Sequence, residues 1–338
     1  MRRVGHMMKF QDFIGNERVV TGLERAIVTD QIRHAYLFTG PTQVGKRTLA
    51  MTFAQAIQCT QRPGNSGDAC GICYACLKVE HGNHPDLLTF AIPKDRQHYT
   101  IEQIRNLIEA VSLKATEGNR HIFVITEADK ITLPGLQASL KILEEPPPDT
   151  MILLTCTSTD LLLPTIRSRC QEVSLAPVAP QILTNALMQR MNISADEAMA
   201  VALVSGGCPG WAIDAVNEPE ELAERRATLR DLATITRASR SERITLAAKY
   251  ATDKDHAQYT VELWLPWWRD VLLAAHGDKA DIRHVDDRTT IEAEASRWGA
   301  EAAERVVRAQ MISLEELDQN ANPRLVFEIL LQSLPGLS

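Results

Sequence analysis

The feature that most limits what this chain can fold into is GPTQVGKRT, residues 40–48, set between the apolar run AYLFTG and an amphipathic run that begins at Lys46. A strand, a glycine-containing loop and a helix in that order form a P-loop. Gly40 and Gly45, with Pro41 between them, let backbone N–H groups wrap a phosphate. The helix N-terminus adds its positive end, and Lys46 reaches the terminal oxygens. Such a loop needs a sheet behind it. Apolar runs at 35–40, 86–90, 121–126 and 151–157 read as its strands, and the spacing predicts helices over 46–58, 101–115 and 133–145. The last has Thr132 as N-cap and Pro134 in its first turn, and Pro146, Pro147 and Pro148 stop it. Residues 1–175 therefore read as an α/β domain with a mainly parallel sheet.

After Leu175 the pattern turns helical. SGGCPG at 205–210 and NEPEE at 217–221 punctuate it, which marks off a small helical domain over 176–218 and an all-helical one over 219–338. With 36 Lys and Arg against 43 Asp and Glu, the net charge is −7, so the chain as a whole repels a polyanion and any nucleic-acid contact is local. No run approaches the roughly 18 apolar residues of a membrane helix. The basic start MRRVGHMMKFQ lacks the apolar core of a secretory signal, with Met7 or Met8 as an alternative start, and a cytoplasmic location is expected.

The P-loop is defective where it would bind metal. The position after the lysine ordinarily carries Ser or Thr to ligate Mg2+, and here it holds Arg47. Thr48 comes one residue late, about 100 degrees around the helix. The apolar strand HIFVITEADKI ends in Thr126, where a Walker B strand has the Asp that serves the same ion, while Glu127 keeps the general-base position. The cradle remains without its metal ligands. ATP binding stays possible but weak, without normal Mg2+ ligation.

Cys59, Cys70, Cys73 and Cys76 follow the pattern C-x10-C-x2-C-x2-C. Four thiolates in that spacing satisfy zinc with no open position, so a structural Zn2+ over the polar loop at 59–76 is expected. His81 and His84 read as surface or capping residues of the GNHPD turn. Trp264, Trp267 and Trp268 share one helical face, as a core stripe or as a subunit contact.

Taken together, HAYLFTGP, the P-loop, the four-cysteine knuckle, GNHPD, LQASLKILEEPP (136–147), LLTCTSTD, LLPTIRSRC, SGGCPGWA and NANPRLVFEILL (320–331) resemble the bacterial clamp-loader branch of the AAA+ ATPases over essentially the whole chain. The resemblance implies an AAA+ domain, a helical lid and a helical collar that oligomerises. It also implies a place in the DNA polymerase III holoenzyme, a nucleotidyltransferase assembly that acts in DNA replication. The implied partners are gamma/tau and delta subunits in a pentameric ring, with the sliding clamp and primed DNA met through the complex. Thr157 falls at the sensor 1 position, and the sensor 2 stretch at 206–211 lacks the family's arginine. With Arg47 and Thr126, that departure implies the non-hydrolysing member of the ring, which retains Glu127 as a vestige; the alternatives are an ATP-hydrolysing gamma-type subunit and a zinc-containing adaptor with no role in ATP turnover. In TIRSRC, the resemblance makes Arg169, next to Ser168, the arginine finger acting on a neighbouring subunit's ATP.

Overall fold

Three runs are buried at every position: β1 (Ala35–Thr39), β3 (His121–Ile125) and β4 (Thr150–Cys156). Strands covered by helices on both faces lose the in–out alternation in just this way. Two shorter strands, β2 (Leu87–Phe90) and β5 (Gln171–Ser174), close the edges. All pairings are parallel and the order is β2-β3-β4-β1-β5, the parallel α/β sheet that the sequence pattern implies. The computed structural model describes residues 9–336 except 65, 94, 95, 97, 119, 160, 161, 219, 221–226, 230, 233, 278–281 and 283–287, so the alternative starts at Met7 and Met8 lie outside the described residues.

Helices α1 (Glu17–Val28), α2 (Lys46–Gln58) and α3 (Tyr74–Glu80) cover one face of the sheet. Helices α4 (Ile101–Val111), α5 (Leu133–Glu144) and α6 (Pro164–Arg167) cover the other. Two sequence expectations are corrected. The fifth strand was not anticipated, because QEVS at the sheet edge buries only Val173. The helix expected over 101–115 stops at Val111, since the chain must turn to deliver the N–H groups of Thr116, Glu117 and Gly118 to the buried carboxylate of Asp86. Thr132 stands at the N-cap of α5, with no capping hydrogen bond from its side chain.

This first unit runs to Ala186 and takes in Gly207–Trp211; a second comprises Leu187–Gly206 and the residues from Ala212 onward. The second is helical throughout its described length, with long helices at Lys254–Ala275 and Arg288–Asp318, the latter broken at Gly299 where φ is 74°. Its core gathers Tyr250, Trp264 and Phe327, with the Tyr250 and Trp264 rings 5.0 Å apart, edge to face. Trp264, Trp267 and Trp268 are all buried there, so the stripe is core and not a free contact surface. Among the described residues no helix is long and apolar enough to cross a membrane.

Candidate functional site

Parallel strands in the order β3-β4-β1 bring three C-terminal ends side by side, the edge where ligands of open α/β sheets bind. Thr126 and Glu127 follow β3, Thr157 follows β4, and the P-loop follows β1. The two loop glycines are required. Gly40 has φ 139°, and a Cβ there would lie 2.4 Å from the Leu175 carbonyl oxygen; Gly45 has φ 106° and faces the Phe13 ring. Lys46 opens α2 and folds its ammonium back over the loop, donating to the carbonyls of Gly40 at 2.6 Å and Pro41 at 2.7 Å. Burial pulls the Lys46 pKa below its ordinary value, against the opposing pull of Asp129, Cys156, Cys208 and Glu127. The Gly210 N–H donates to the Gln43 carbonyl at 2.9 Å, which holds Gly210 against the loop. Arg47 is exposed and Thr48 half-buried, with the Thr48 carbonyl accepting from the Thr52 hydroxyl.

At the end of β3, Thr126 is buried. Its hydroxyl donates to the Phe90 carbonyl at 3.3 Å, and its own carbonyl accepts from the Tyr99 hydroxyl at 2.6 Å. Glu127 takes a left-handed backbone (φ 51°), donates its N–H to the Thr155 hydroxyl and pairs its carboxylate with Lys130 at 2.9 Å. Sequence reasoning overlooked Asp129. Its Oδ2 accepts both the N–H (3.1 Å) and the hydroxyl of Thr157, while its Oδ1 is buried without a hydrogen-bond partner. It is the foremost carboxylate acting on Lys46. The signal was a second acid, two residues beyond Glu127 in the same HIFVITEADKI run.

Arg169 lies in the turn between α6 and β5. Register pairs Gln171 with Tyr36, so Arg169 sits beyond the N-terminal end of β1 while the P-loop leaves its C-terminal end. Some six residues of extended chain, on the order of 20 Å, separate Arg169 from its own P-loop. Its guanidinium pairs with Glu144 at 2.8 Å and donates to the Thr165 carbonyl at 2.9 Å and the Ser168 hydroxyl at 3.4 Å. The Ser168 hydroxyl donates to the Thr165 carbonyl.

The four cysteines meet around one point. Cys59 caps the end of α2 and Cys73 the start of α3, and all four sulfurs lie within 4.8 Å of one another. The Cys59–Cys73 and Cys70–Cys76 pairs are each 4.0 Å apart. Tetrahedral zinc with bonds of about 2.3 Å would set sulfurs about 3.8 Å apart, so the donor set fits that ion. Backbone N–H groups aim at the sulfurs: Cys70 at Cys59 (3.3 Å), Cys73 at Cys70 (3.3 Å) and Cys76 at Cys73 (3.5 Å). Burial would raise the Cys73 thiol, but the bonds from Cys76 and Thr60 outweigh it and bring it to about 6. His84 is not a ligand here. It is buried, and its Nδ1 accepts the Asp86 N–H, while the exposed His81 Nδ1 lies 2.6 Å from the Leu77 carbonyl oxygen.

Residues 15–179 match the family model described as DNA polymerase III, delta subunit. DNA polymerase III subunit delta' of Bacillus subtilis is 27% identical over 94% of this chain and 95% of its own length. The chain is thus similar to DNA polymerase III subunits, over nearly its whole length in the first of these. Subunit delta' of Pseudomonas aeruginosa is 36% identical over 53% of this chain and 54% of its own length. Subunit tau of Bacillus subtilis is 24% identical over 97% of this chain, which spans 61% of it.

Proposed function

We propose that the chain is the delta-prime-type, non-hydrolysing subunit of a replicative clamp loader, and that it lends Arg169 to the ATP site of an adjacent subunit. What carries the reading is Thr126. At the Walker B position its side chain is buried and bonded to the Phe90 carbonyl, so the place of the metal-serving carboxylate is filled by a spent hydroxyl. Arg47 removes the second ligand of the same ion. Lys46 and the two glycines keep an anion cradle that would hold a nucleotide weakly, with the Arg47 guanidinium replacing part of the missing charge. Arg169 is too far along β1 to act on its own loop, which favours action in trans. A guanidinium needs only position to stabilise charge on a transferring phosphoryl group.

In this reading residues 1–175 form the nucleotide-binding-like domain, 176–218 the lid and 219–338 the collar. The collar joins gamma/tau and delta subunits in a pentameric ring, and the complex places the sliding clamp on primed DNA in the cytoplasm. Cys59, Cys70, Cys73 and Cys76 hold one structural Zn2+, which fixes a loop too polar to fold by burial alone. The test is phosphate release by the isolated chain with Mg2+ present. The proposal predicts none above background, and turnover near about 1 per second, in the range of working enzymes, would establish the gamma-type alternative instead.

A further inference from the structure

We propose that Glu144 is a positioning residue for Arg169, holding its guanidinium in the orientation it presents to a neighbouring subunit's ATP. The inference rests on the arginine-finger reading above. Glu144 is the last residue of α5, and a carboxylate at a helix C-terminus faces the negative end of the helix dipole, an unfavourable place unless a cation offsets it. Arg169 is that cation, with Nη2 2.8 Å from Glu144 Oε1. On its other branch Nη1 donates to the Thr165 carbonyl, which belongs to α6. Two anchors on two packed helices thus fix a side chain that would otherwise sample many rotamers, and three prolines beginning one residue beyond α5 stiffen the chain that leaves it.

The arrangement orients without sequestering. One carboxylate oxygen, one carbonyl and the longer contact to the Ser168 hydroxyl engage only part of the five N–H donors of a guanidinium, which leaves enough for a phosphate. The pair is also partly exposed, 34% on the Arg169 side chain and 47% on Glu144, so it competes weakly with a polyphosphate. A group that acts in the transition state gains from being fixed beforehand, because the cost of ordering it no longer falls within the reaction step.

The test uses the assembled complex and reads DNA-stimulated ATP turnover for Glu144→Ala, Glu144→Gln, Arg169→Ala and the double alanine variant, with melting and assembly checked for each. Glu144→Ala should lower kcat about tenfold, equivalent to about 1.4 kcal/mol, with KM for ATP unchanged. Glu144→Gln should lose less, since its amide oxygen still accepts from Nη2. The double variant should be no slower than Arg169→Ala alone, because Glu144 acts only through that side chain. Turnover at or above the wild-type rate in Glu144→Ala overturns the proposal, as does a double variant slowed by the product of the single effects. If Arg169→Ala alone leaves turnover intact, the arginine-finger reading fails and this inference falls with it.

Discussion

Replacing Arg243 by leucine tests how the second unit is held together. Arg243 is buried, and among the described residues it pairs with no carboxylate. Its guanidinium donates to five backbone carbonyls: Ala238 at 3.2 Å, Leu331 at 3.0 Å, Leu334 at 2.6 Å, Thr236 at 3.1 Å and Pro335 at 2.7 Å. Bonds from a charged donor contribute about 1.5–3 kcal/mol each, so five would sum to about 7–15 kcal/mol, more than most domains net in total. Most of that offsets the cost of burying the charge, which also pulls the Arg243 pKa below its ordinary value. After truncation the Ala238 and Pro335 carbonyls, whose bonds are only partly buried, regain water, while those of Leu331 and Leu334 are left buried without the guanidinium. Two orphaned acceptors plus lost packing give about 3–5 kcal/mol. At about 2–4 °C per kcal/mol this lowers the melting temperature by about 10 °C. Tryptophan fluorescence is weighted toward this unit, since Trp264, Trp267, Trp268 and Trp298 lie in it and Trp211 alone of the five lies in the first. Arg243→Lys should recover little, because an ammonium with three donors cannot span five acceptors. A loss below about 1 kcal/mol in the leucine variant would refute the reasoning.

Metal analysis of protein purified without chelator should give one equivalent of zinc, and replacing Cys73 by serine should abolish it and loosen the loop at 59–76 while leaving the sheet folded; full zinc retention would contradict the four-thiolate site. Asp86→Ala should destabilise the first unit by about 2–4 kcal/mol in urea titrations, because it strands the three N–H groups at 116–118. Burial pushes the Asp86 carboxyl up, but those three bonds outweigh it and hold it below the usual carboxylate range. Its contribution is therefore complete above about pH 4, the unfolded value, and lost as pH falls through the lower folded value. Asp86→Asn should lack that acid dependence, and an unchanged pH profile would rule Asp86 out as its source.

What the chain discloses without coordinates depends on how local the physics is. The P-loop, the cysteine knuckle and the three central strands are legible because each is a short run whose chemistry is complete within itself. The edge strand β5 is not, since QEVS becomes a strand only by pairing with β1. Asp129 is not legible either, because the Thr157 groups that bond it and the Lys46 ammonium it acts on follow two other strands. Glu144 and Arg169 both belonged to recognisable motifs, yet only the packing of α5 on α6 pairs them. Arg243 carried no sequence signal at all, as its partners are backbone carbonyls up to 92 residues away. The tryptophan stripe had two readings of equal spacing, and burial decided between them.

The most direct test of the central claim is ATP turnover and clamp loading by the complete complex carrying Arg169→Ala in this subunit. Removal of an arginine finger costs a factor of about 10³ to 10⁵ at the site it serves. The variant complex should therefore assemble with normal zinc content, yet lose the hydrolysis contributed by the one neighbouring site and load clamps slowly. Arg169→Lys should not rescue it, because a point charge does not reproduce the planar fork. A variant complex that assembles normally and loads clamps at the wild-type rate would reduce Arg169 to a surface charge and leave the chain a scaffold without a part in ATP turnover.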